Sequence, residues 1–338
     1  MKKMSYYKFP IIATVFTSLL VACSDSTNET KTDEQISSDE TTESAETVEI
    51  TDAHGTVSVP VNPQNVVALD NRTFETLSDW GIPLTAAPKN VMHADSPYIN
   101  DDSVENIGDH REPNLEVIAA ADPELVIVGQ RFSGYYEDIK ELVPEATVID
   151  LNIDVSEDAD APGENFVNGL VDYTLALGQI FDKTSEAEAL EADFNQAIDD
   201  VKAAYNGTDT VMSLIVSGGD INYAAPHNGR VWGPMYDIFD FKPALEIENT
   251  SSDHQGDDVS VEAIAQSNPD WLLVLDRDAA VSSSDSSPAT DVIEGSPALQ
   301  NTTAISEDHV FYAPDDTYTT ESIQTYIEMF EDLANTLN

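Results

Sequence analysis

The sequence predicts an α/β protein made of two similar lobes that face a shared cleft. The main observation is an internal repeat, because Leu115 to Arg131 reads LEVIAAADPELVIVGQR and Val261 to Arg277 reads VEAIAQSNPDWLLVLDR, without a gap between the copies. In each copy an amphipathic helix ends before an Asx-Pro pair, because the residue preceding proline is pushed out of the α region. An unbroken apolar run follows, which is typical of a strand covered on both faces of a parallel sheet. Each predicted strand leads to an arginine, at the sheet edge where open α/β proteins bind ligands.

The first residues of the chain have the pattern of a lipoprotein leader. Three lysines precede an apolar run from Phe9 to Ala22, which predicts a secretory signal over residues 1–22. The run ends in the lipobox LVAC, so we expect Cys23 to be the lipidated residue that anchors the protein to a membrane. Cys23 is the only cysteine, so no disulfide framework is expected. Residues 23–47 are acidic and nearly free of apolar side chains, which predicts a disordered tether.

The first α/β lobe is predicted over residues 48–163. It opens with a hairpin around Ala53-His54-Gly55, where His54 is expected to be structural. A buried strand, Asn65 to Asp70, leads into a helix that Gly81 closes. Besides the repeat unit, the remaining predicted elements are strands at 84–87, 105–109 and 146–151 and a helix at 133–142.

A helix over residues 164–182 is predicted to join the lobes, because its apolar spacing is helical and it lies between the repeat copies. The second α/β lobe then covers residues 183–338. Besides the second repeat copy, its predicted elements are helices at 185–205, 231–240 and 320–337 and strands at 210–216, 222–225 and 309–313.

The charge of the chain is extreme. Its 64 acidic residues outnumber 14 lysines and arginines, for a formal net charge of −50, although the apolar content of 41% is ordinary for a globular protein. Such self-repulsion favours a salty environment, where the Debye length falls to about 3 Å at 1 M, and we therefore predict a halophilic or salt-tolerant source. The same charge argues against binding to nucleic acids or to anionic membrane surfaces.

The arginines are the candidate ligand-binding residues. There are five of them, Arg72, Arg111, Arg131, Arg230 and Arg277. Three follow apolar strands, and Arg230 lies on a loop that enters a helix. Because a guanidinium offers donors in a fixed fork, it suits carboxylates, catecholate oxygens or phosphates.

His254 and Tyr318 are the candidates for direct contact with a metal. His254 lies in an acidic loop at 249–258, and Tyr318 precedes the last predicted helix. The sequence has no HExxH or CxxC motif, P-loop, GxSxG elbow or dinucleotide fingerprint. We therefore predict neither a catalytic residue nor an intrinsic cofactor.

The ordered set of motifs resembles the solute-binding lipoproteins of iron–siderophore ABC importers, particularly those for catecholate siderophores of the petrobactin and enterobactin type. The resemblance begins at about Val48. It is carried by PQNVVALD with TLSDWGI, by NIGDHREPNLEVIAAADPELVIVGQR, by NGRVWGPMYDIFDFKPA, by the His254 loop with VSVEAIAQSNPDWLLVLDR, and by VFYAPD ahead of Tyr318.

The resemblance implies two Rossmann-like lobes joined by one long helix, as in periplasmic binding proteins of the helical-backbone type. It implies that Arg131, Arg230 and Arg277 form a triad facing a ferric chelate. The residues that contact Fe(III) in the family fall on His254 and Tyr318. This chain reads His254-Gln255-Gly256 where the family commonly has His-Gly-Gln.

The resemblance also assigns a docking role to Glu116 and Glu262, which hold equal positions in the two repeat copies. In the family, acidic residues at these places dock each lobe onto the permease. A two-fold permease would present equal basic pockets to both lobes, which agrees with the duplication.

The function expected from these observations is that of a non-enzymatic, monomeric receptor, lipid-anchored on the extracytoplasmic face of a cell membrane, in a Gram-positive setting. It would capture an anionic ferric siderophore, with the catecholate type favoured, and deliver it to an ABC permease. A receptor for haem, cobalamin or a hydroxamate siderophore is the alternative within the binding class. A lipid-anchored hydrolase and an adhesive surface lipoprotein are the alternatives from other classes.

Overall fold

The computed structural model describes residues 46–156, 159–281 and 287–338. The predicted signal peptide, the predicted lipidation site Cys23 and nearly all of the predicted tether lie outside the described residues. Within the described ranges, no helix has both the length and the apolar character needed to cross a membrane.

The predicted hairpin is present at the start of the described chain. Strands β1 (Thr47–Asp52) and β2 (Gly55–Pro60) pair in antiparallel fashion. Gly55 supplies the positive φ of 127° that the turn between them requires. His54 places its Nε2 3.2 Å from Oδ2 of the buried Asp150, so it fastens the turn to the first sheet.

The first sheet has five parallel strands. They are β3 (Val66–Ala68), β4 (Ala86–Ala87), β5 (Glu105–Asn106), β6 (Leu125–Val128) and β7 (Thr147–Asp150). The strand order is β5-β4-β3-β6-β7. Strands β4 and β5 are added on one side of β3 and strands β6 and β7 on the other, so the strand order reverses between β3 and β6. Strands β3 and β6 are wholly buried, as their apolar runs predict.

Three α-helices accompany this sheet, and they are α1 (Asn71–Asp79), α2 (Leu115–Ala120) and α3 (Tyr136–Leu142). The Asp70 side chain caps α1 by accepting from the Arg72 N–H, and Gly81 follows it with a φ of +70°. The predicted helix at 133–142 is wrong at its start, because a 3-10 helix, Gln130–Tyr135, precedes α3. Gly134 lies in this tight turn, where its low helix propensity disfavours an earlier α-helical start.

Two long helices follow, α4 (Pro162–Ile180) and α5 (Thr184–Ala204). The predicted joining helix is α4, and it begins and ends two residues earlier than expected. Proline at its first position favours this start, because the ring fixes φ at a helical value. Gly178 lets α4 approach α5 closely, since a Cβ there would lie 2.6 Å from the Cβ of Ala187.

The second sheet repeats the plan of the first. Its strands are β8 (Thr210–Ser217), β9 (Asp220–Tyr223), β10 (Lys242–Pro243), β11 (Trp271–Asp276) and β12 (Val310–Tyr312). The parallel order is β10-β8-β11-β12, with β9 antiparallel to β8. The strand order therefore reverses between β8 and β11, just as it does between β3 and β6. The predicted α/β fold, with helices around two largely parallel sheets, is confirmed.

The helices of this half are α6 (Gly233–Phe239), α7 (Val261–Ser267), α8 (Arg277–Ala280), α9 (Ala289–Glu294), α10 (Thr303–Ser306), α11 (Thr317–Thr320) and α12 (Ile323–Leu337). The predicted terminal helix, 320–337, is wrong in one respect. Glu321 adopts a left-handed φ of 51° and separates α11 from α12, which Ser322 then caps. Helices α8 to α10 were not predicted, because four to six residues are too few to show a helical period. Further 3-10 helices are Lys89–Val91, Pro97–Asn100 and Leu299–Asn301.

Candidate functional site

The two repeat copies end at corresponding places in the two sheets. Arg131 follows β6 and Arg277 follows β11, and each of these strands lies beside the first strand of its sheet, where the strand order reverses. Ligands of open α/β sheets bind in the crevice at such reversal points. The described residues form one compact unit, so the two edges can contribute to one site.

One cavity contains four of the predicted site residues. Its volume is about 490 Å³, and Arg131, Arg277, His254 and Tyr318 all line it. We call it the arginine cavity. The loop before β5 supplies apolar lining, including Met92, and His110 adds a second imidazole. The structure thus brings both repeat arginines to a common hollow.

The ring of Tyr318 organises the cationic side chains. Tyr318 is 3% exposed, and the Cζ atoms of Arg230 and Arg277 lie 4.7 and 5.6 Å from its ring centroid. Its hydroxyl accepts a hydrogen bond of 3.1 Å from Nε of Arg277. The same guanidinium donates from Nη1 to Oγ of Ser217 at 3.3 Å. These contacts hold Arg277 in one orientation at the cavity wall.

Asp278, the carboxylate that pairs with Arg277, accepts hydrogen bonds from two backbone N–H groups. Asp278 accepts the backbone N–H groups of Gly218 and Gly219, both at 2.9 Å. Its Oδ1 therefore stays 3.9 Å from Nη1 of Arg277, beyond hydrogen-bond distance. Arg277 therefore forms an ion pair with Asp278 but no hydrogen bond to it, and its guanidinium donates hydrogen bonds to Tyr318 and Ser217 instead.

Arg131 has no hydrogen-bond or ion-pair partner among the described residues, and its Nε is buried. Burial lowers the pKa of Arg131, and the positive charge of Arg230 lowers it further. Arginine nevertheless stays protonated in proteins. The side chain is half-buried and contacts no carboxylate in the described part of the chain, although the charge of Glu321 raises its pKa from a distance. A guanidinium in this environment favours an anion in the cavity.

Arg72 and Arg230 occupy a different environment from the one predicted. Both bind the buried Glu321, with Arg72 Nη2 3.2 Å from Oε2 and Arg230 in contact with Oε1. Gln130 donates to Oε2 at 2.8 Å. Although burial opposes ionisation, the guanidiniums of Arg230, Arg72 and Arg131 hold the pKa of Glu321 below its usual range.

The consequence is that the predicted triad is divided. Arg72 and Arg230 line a separate cavity of about 290 Å³ with Glu321, and Arg230 reaches the arginine cavity only through the ring of Tyr318. Sequence reasoning missed Glu321, because one carboxylate among 64 acidic residues carries no distinguishing signal.

His254 lies at the open side of the arginine cavity, with about half of its side chain exposed. Burial lowers its pKa, and Arg277, Arg230 and Arg131 lower it further against the opposing effect of Asp253. The neutral imidazole, which is the form that binds metals, is therefore favoured. The described residues contain no group of three or more His, Cys, Asp or Glu side chains that could hold a metal ion.

Arg111 is exposed and does not line the arginine cavity, which differs from its prediction as a ligand-binding residue. Its carbonyl accepts a 3.3 Å hydrogen bond from the Tyr135 hydroxyl. The neighbouring His110 lines the cavity instead and was missed. His110 is itself exposed, and a single exposed histidine in a loop carries no distinguishing signal in the sequence.

Glu116 and Glu262 are both exposed in the first turns of α2 and α7. Asn114 caps α2 by accepting from the Glu116 N–H at 3.1 Å, and Ser260 caps α7 by accepting from the Ala263 N–H at 3.2 Å. The repeat therefore places the two carboxylates equivalently on two matching helices.

Comparison with known proteins agrees with this architecture. A sequence profile described as periplasmic binding protein matches residues 66–317. The petrobactin-binding protein YclQ of Bacillus subtilis is 28% identical over 264 residues, which are 77% of each chain. The ferric-anguibactin-binding protein FatB of Vibrio anguillarum is 27% identical over 246 residues, covering 72% of this chain and 70% of FatB.

Solved structures share the fold. The crystal structure of YclQ superposes with a TM-score of 0.71 at 25% identity, covering 87% of this chain and 99% of that one. The siderophore binding protein BauB, solved with ferric iron and two acinetobactin molecules, gives a TM-score of 0.72 at 23% identity over 87% of this chain and 99% of BauB. Because the profile match extends over most of the sequence, the chain belongs to the periplasmic binding protein family.

Proposed function

We propose that this protein is an extracytoplasmic, lipid-anchored receptor that binds an anionic ferric siderophore, with the catecholate type favoured, and delivers it to an ABC permease. The observation that carries the proposal is the meeting of Arg131 and Arg277, one from each repeat copy, at the arginine cavity. The names of the relatives YclQ and FatB, as binders of petrobactin and ferric anguibactin, support the same ligand class.

The charge of the cavity favours this ligand. Fe(III) held by catecholate oxygens carries net negative charge, and the guanidinium fork donates to such oxygens. A contact between unit charges at 4 Å gives roughly 4 kcal/mol at an effective dielectric of 20, before the cost of desolvation. Arg131 and Arg277 together would outweigh the repulsion from an acidic surface that salt screens. A cavity of about 490 Å³ also has the size of a small-molecule site.

In this proposal His254 and Tyr318 contact the Fe(III) of the chelate. His254 is half-exposed beside the arginines and favours its neutral form, so it can offer a lone pair. Tyr318 offers its hydroxyl oxygen, which Arg277 already orients by donation. Arg230 supports the ring from behind and adds positive charge.

The remaining parts of the proposal concern assembly. Cys23 would hold the monomer to the membrane, and residues 23–47 would serve as its tether. Residues 48–163 and 183–338 would form the two lobes. Glu116 and Glu262 would dock these lobes onto equivalent basic pockets of the permease, which agrees with their exposure on matching helices.

Titration of intrinsic fluorescence in the purified full chain tests the ligand class. We expect saturable quenching by ferric catecholates, and none by ferric hydroxamates, haem or cobalamin at the same concentrations. Quenching by one of those three instead would reassign the receptor to that ligand. Turnover of ester or phosphate substrates, lost on substitution of a single acid or serine, would replace the receptor by a hydrolase.

A further inference from the structure

A second cavity adjoins the arginine cavity and has the opposite chemistry. Its volume is about 320 Å³, and Met92 and Thr319 line both cavities. We call it the acidic cavity. A ligand bound against Arg131 and Arg277 therefore has a neighbouring space into which an arm can extend.

The lining of the acidic cavity is anionic. Glu75 and Asp79 of α1 face it, together with Asp95 and Asp316, and His93 is the one basic side chain among its described lining residues. Burial raises the pKa of both Glu75 and Asp316. The charges of Asp316 and Asp79 raise the pKa of Glu75 further, and those of Asp315 and Asp95 raise that of Asp316, which His93 opposes. No cation among the described residues acts on Glu75 in the same way.

Glu75 is held in place by two hydroxyl groups. Its Oε2 accepts from Ser322 and, at 3.1 Å, from Thr325, both at the start of α12. These donors leave no positive charge beside the carboxylate. The buried ring of Phe74 also lines the cavity, and an aromatic face attracts an ammonium group.

An independent feature of the same cavity is an unmatched acceptor. Asn71 lines it and is 1% exposed. Its Nδ2 donates to the carbonyl oxygens of Thr319 and Thr320 at 3.2 and 3.0 Å, which settles which end of the amide is the donor. Its Oδ1 is buried and has no hydrogen-bond partner. Because an unpaired buried acceptor is costly, the site calls for an N–H donor.

We propose that the acidic cavity binds a protonated amine on an arm of the same ligand whose ferric centre occupies the arginine cavity. The ligand is then a siderophore with an anionic iron centre and a cationic arm. This inference rests on the proposed receptor function and names the ligand class within it.

The opposed charges of the two cavities would also orient the ligand. An ammonium arm is repelled by Arg131 and Arg277 and attracted by Glu75 and Asp316, while the ferric centre experiences the reverse. A chelate bound the other way round would therefore place like charges together. Such penalties against wrong arrangements produce specificity.

A matched pair of chelates tests the inference on the full chain. One is a ferric dicatecholate built on a triamine spacer, whose central secondary amine stays protonated. The other is the same chelate with that amine acetylated, which removes the charge and its donors. We expect the amine chelate to quench fluorescence with an affinity about tenfold higher, equivalent to about 1.4 kcal/mol.

Variants locate the source of this difference. Glu75→Gln and Asp316→Asn should each reduce the advantage of the amine chelate and together abolish it, while affinity for the acetylated chelate stays at the wild-type value and reports an intact fold. Asp315→Asn is the matched control, because Asp315 is exposed and does not line the acidic cavity. This variant should keep the full advantage.

The possible results separate the two proposals. Equal affinity of the wild type for both chelates would overturn the amine site and leave the receptor function standing. An equal loss in the Asp315→Asn variant would assign the advantage to general surface acidity and also overturn the amine site. If neither chelate binds, the receptor function fails and the amine site fails with it.

Discussion

Replacing Glu321 by glutamine should destabilise the protein far more than the loss of any single negative charge in α12, the helix that follows it. The carboxylate is 3% exposed and faces two guanidiniums, those of Arg72 and Arg230, whose side chains are 8% and 14% exposed. Glutamine keeps the length and one acceptor oxygen but removes the charge. Both arginines would then be buried without a counter-ion.

The magnitude follows from the burial of the partners. Removing one member of a buried ion pair costs about 3–5 kcal/mol, because the other charge stays uncompensated. Two arginines depend on this carboxylate, whereas the glutamine oxygen still accepts one hydrogen bond, which offsets part of the loss. We therefore expect a decrease of about 3 kcal/mol in the free energy of unfolding at neutral pH.

Urea denaturation followed by tryptophan fluorescence, at constant high salt, measures this difference. Glu331→Gln is the matched control, because Glu331 is an exposed residue of the adjoining helix α12 and undergoes the same chemical change. Since the arginines keep the pKa of Glu321 below its usual value, its contribution is present above the ordinary carboxyl range and is lost as the pH falls through the folded-state pKa. The gap between wild type and Glu321→Gln should therefore close in acid. Equal midpoints for the two variants at neutral pH would refute the reasoning.

Three further predictions follow from the same structure. Arg131→Ala and Arg277→Ala should each weaken binding of a ferric catecholate by about tenfold or more, whereas the exposed Arg111→Ala should leave it within about twofold, and equal effects in a fluorescence titration would remove the role of the arginine cavity. Burial raises the pKa of Asp70 to about 7, so the folded protein loses free energy of unfolding as the pH rises from about 4 through 7 and this carboxyl ionises. The Asp70→Asn variant should lose up to about 4 kcal/mol less than the wild type by pH 8. A difference in free energy of unfolding between the two proteins that does not change with pH would contradict this. Gly229→Ala should cost about 1–3 kcal/mol in urea, because the new Cβ would clash with backbone atoms of the preceding turn, and an unchanged midpoint would show that this turn adjusts freely.

The arginine cavity could be predicted because it depends on short-range patterns. Helix, Asx-Pro, apolar strand and arginine follow one another within each repeat copy, and parallel strands bring their carboxyl ends to one edge. The gapless match between the copies then indicates that Arg131 and Arg277 hold equal places. The succession of short motifs within each repeat copy was enough to predict this part of the site.

The pairing of Arg72 and Arg230 with Glu321 could not be predicted in the same way. The contact between Arg72 and Glu321 spans 249 positions in sequence, and it depends on a left-handed turn at a residue type that seldom adopts one. Which carboxylate becomes buried is decided by tertiary packing. For this reason Arg230 was expected at the ligand, although the structure shows it bound to a carboxylate behind Tyr318.

The contacts made by the segment from Tyr318 to Thr325 also imply a sequence of events in folding. Asn71 binds the carbonyl of Thr319 across 248 positions, and Glu75 reaches Ser322 across 247. Contacts so distant along the chain form slowly, because the entropy cost of closing a large loop precedes the favourable free energy of the contact. The first sheet can assemble from the first half of the chain, but the segment that completes both cavities follows the second sheet in sequence. A partly folded chain would therefore lack both cavities until its folding is almost finished.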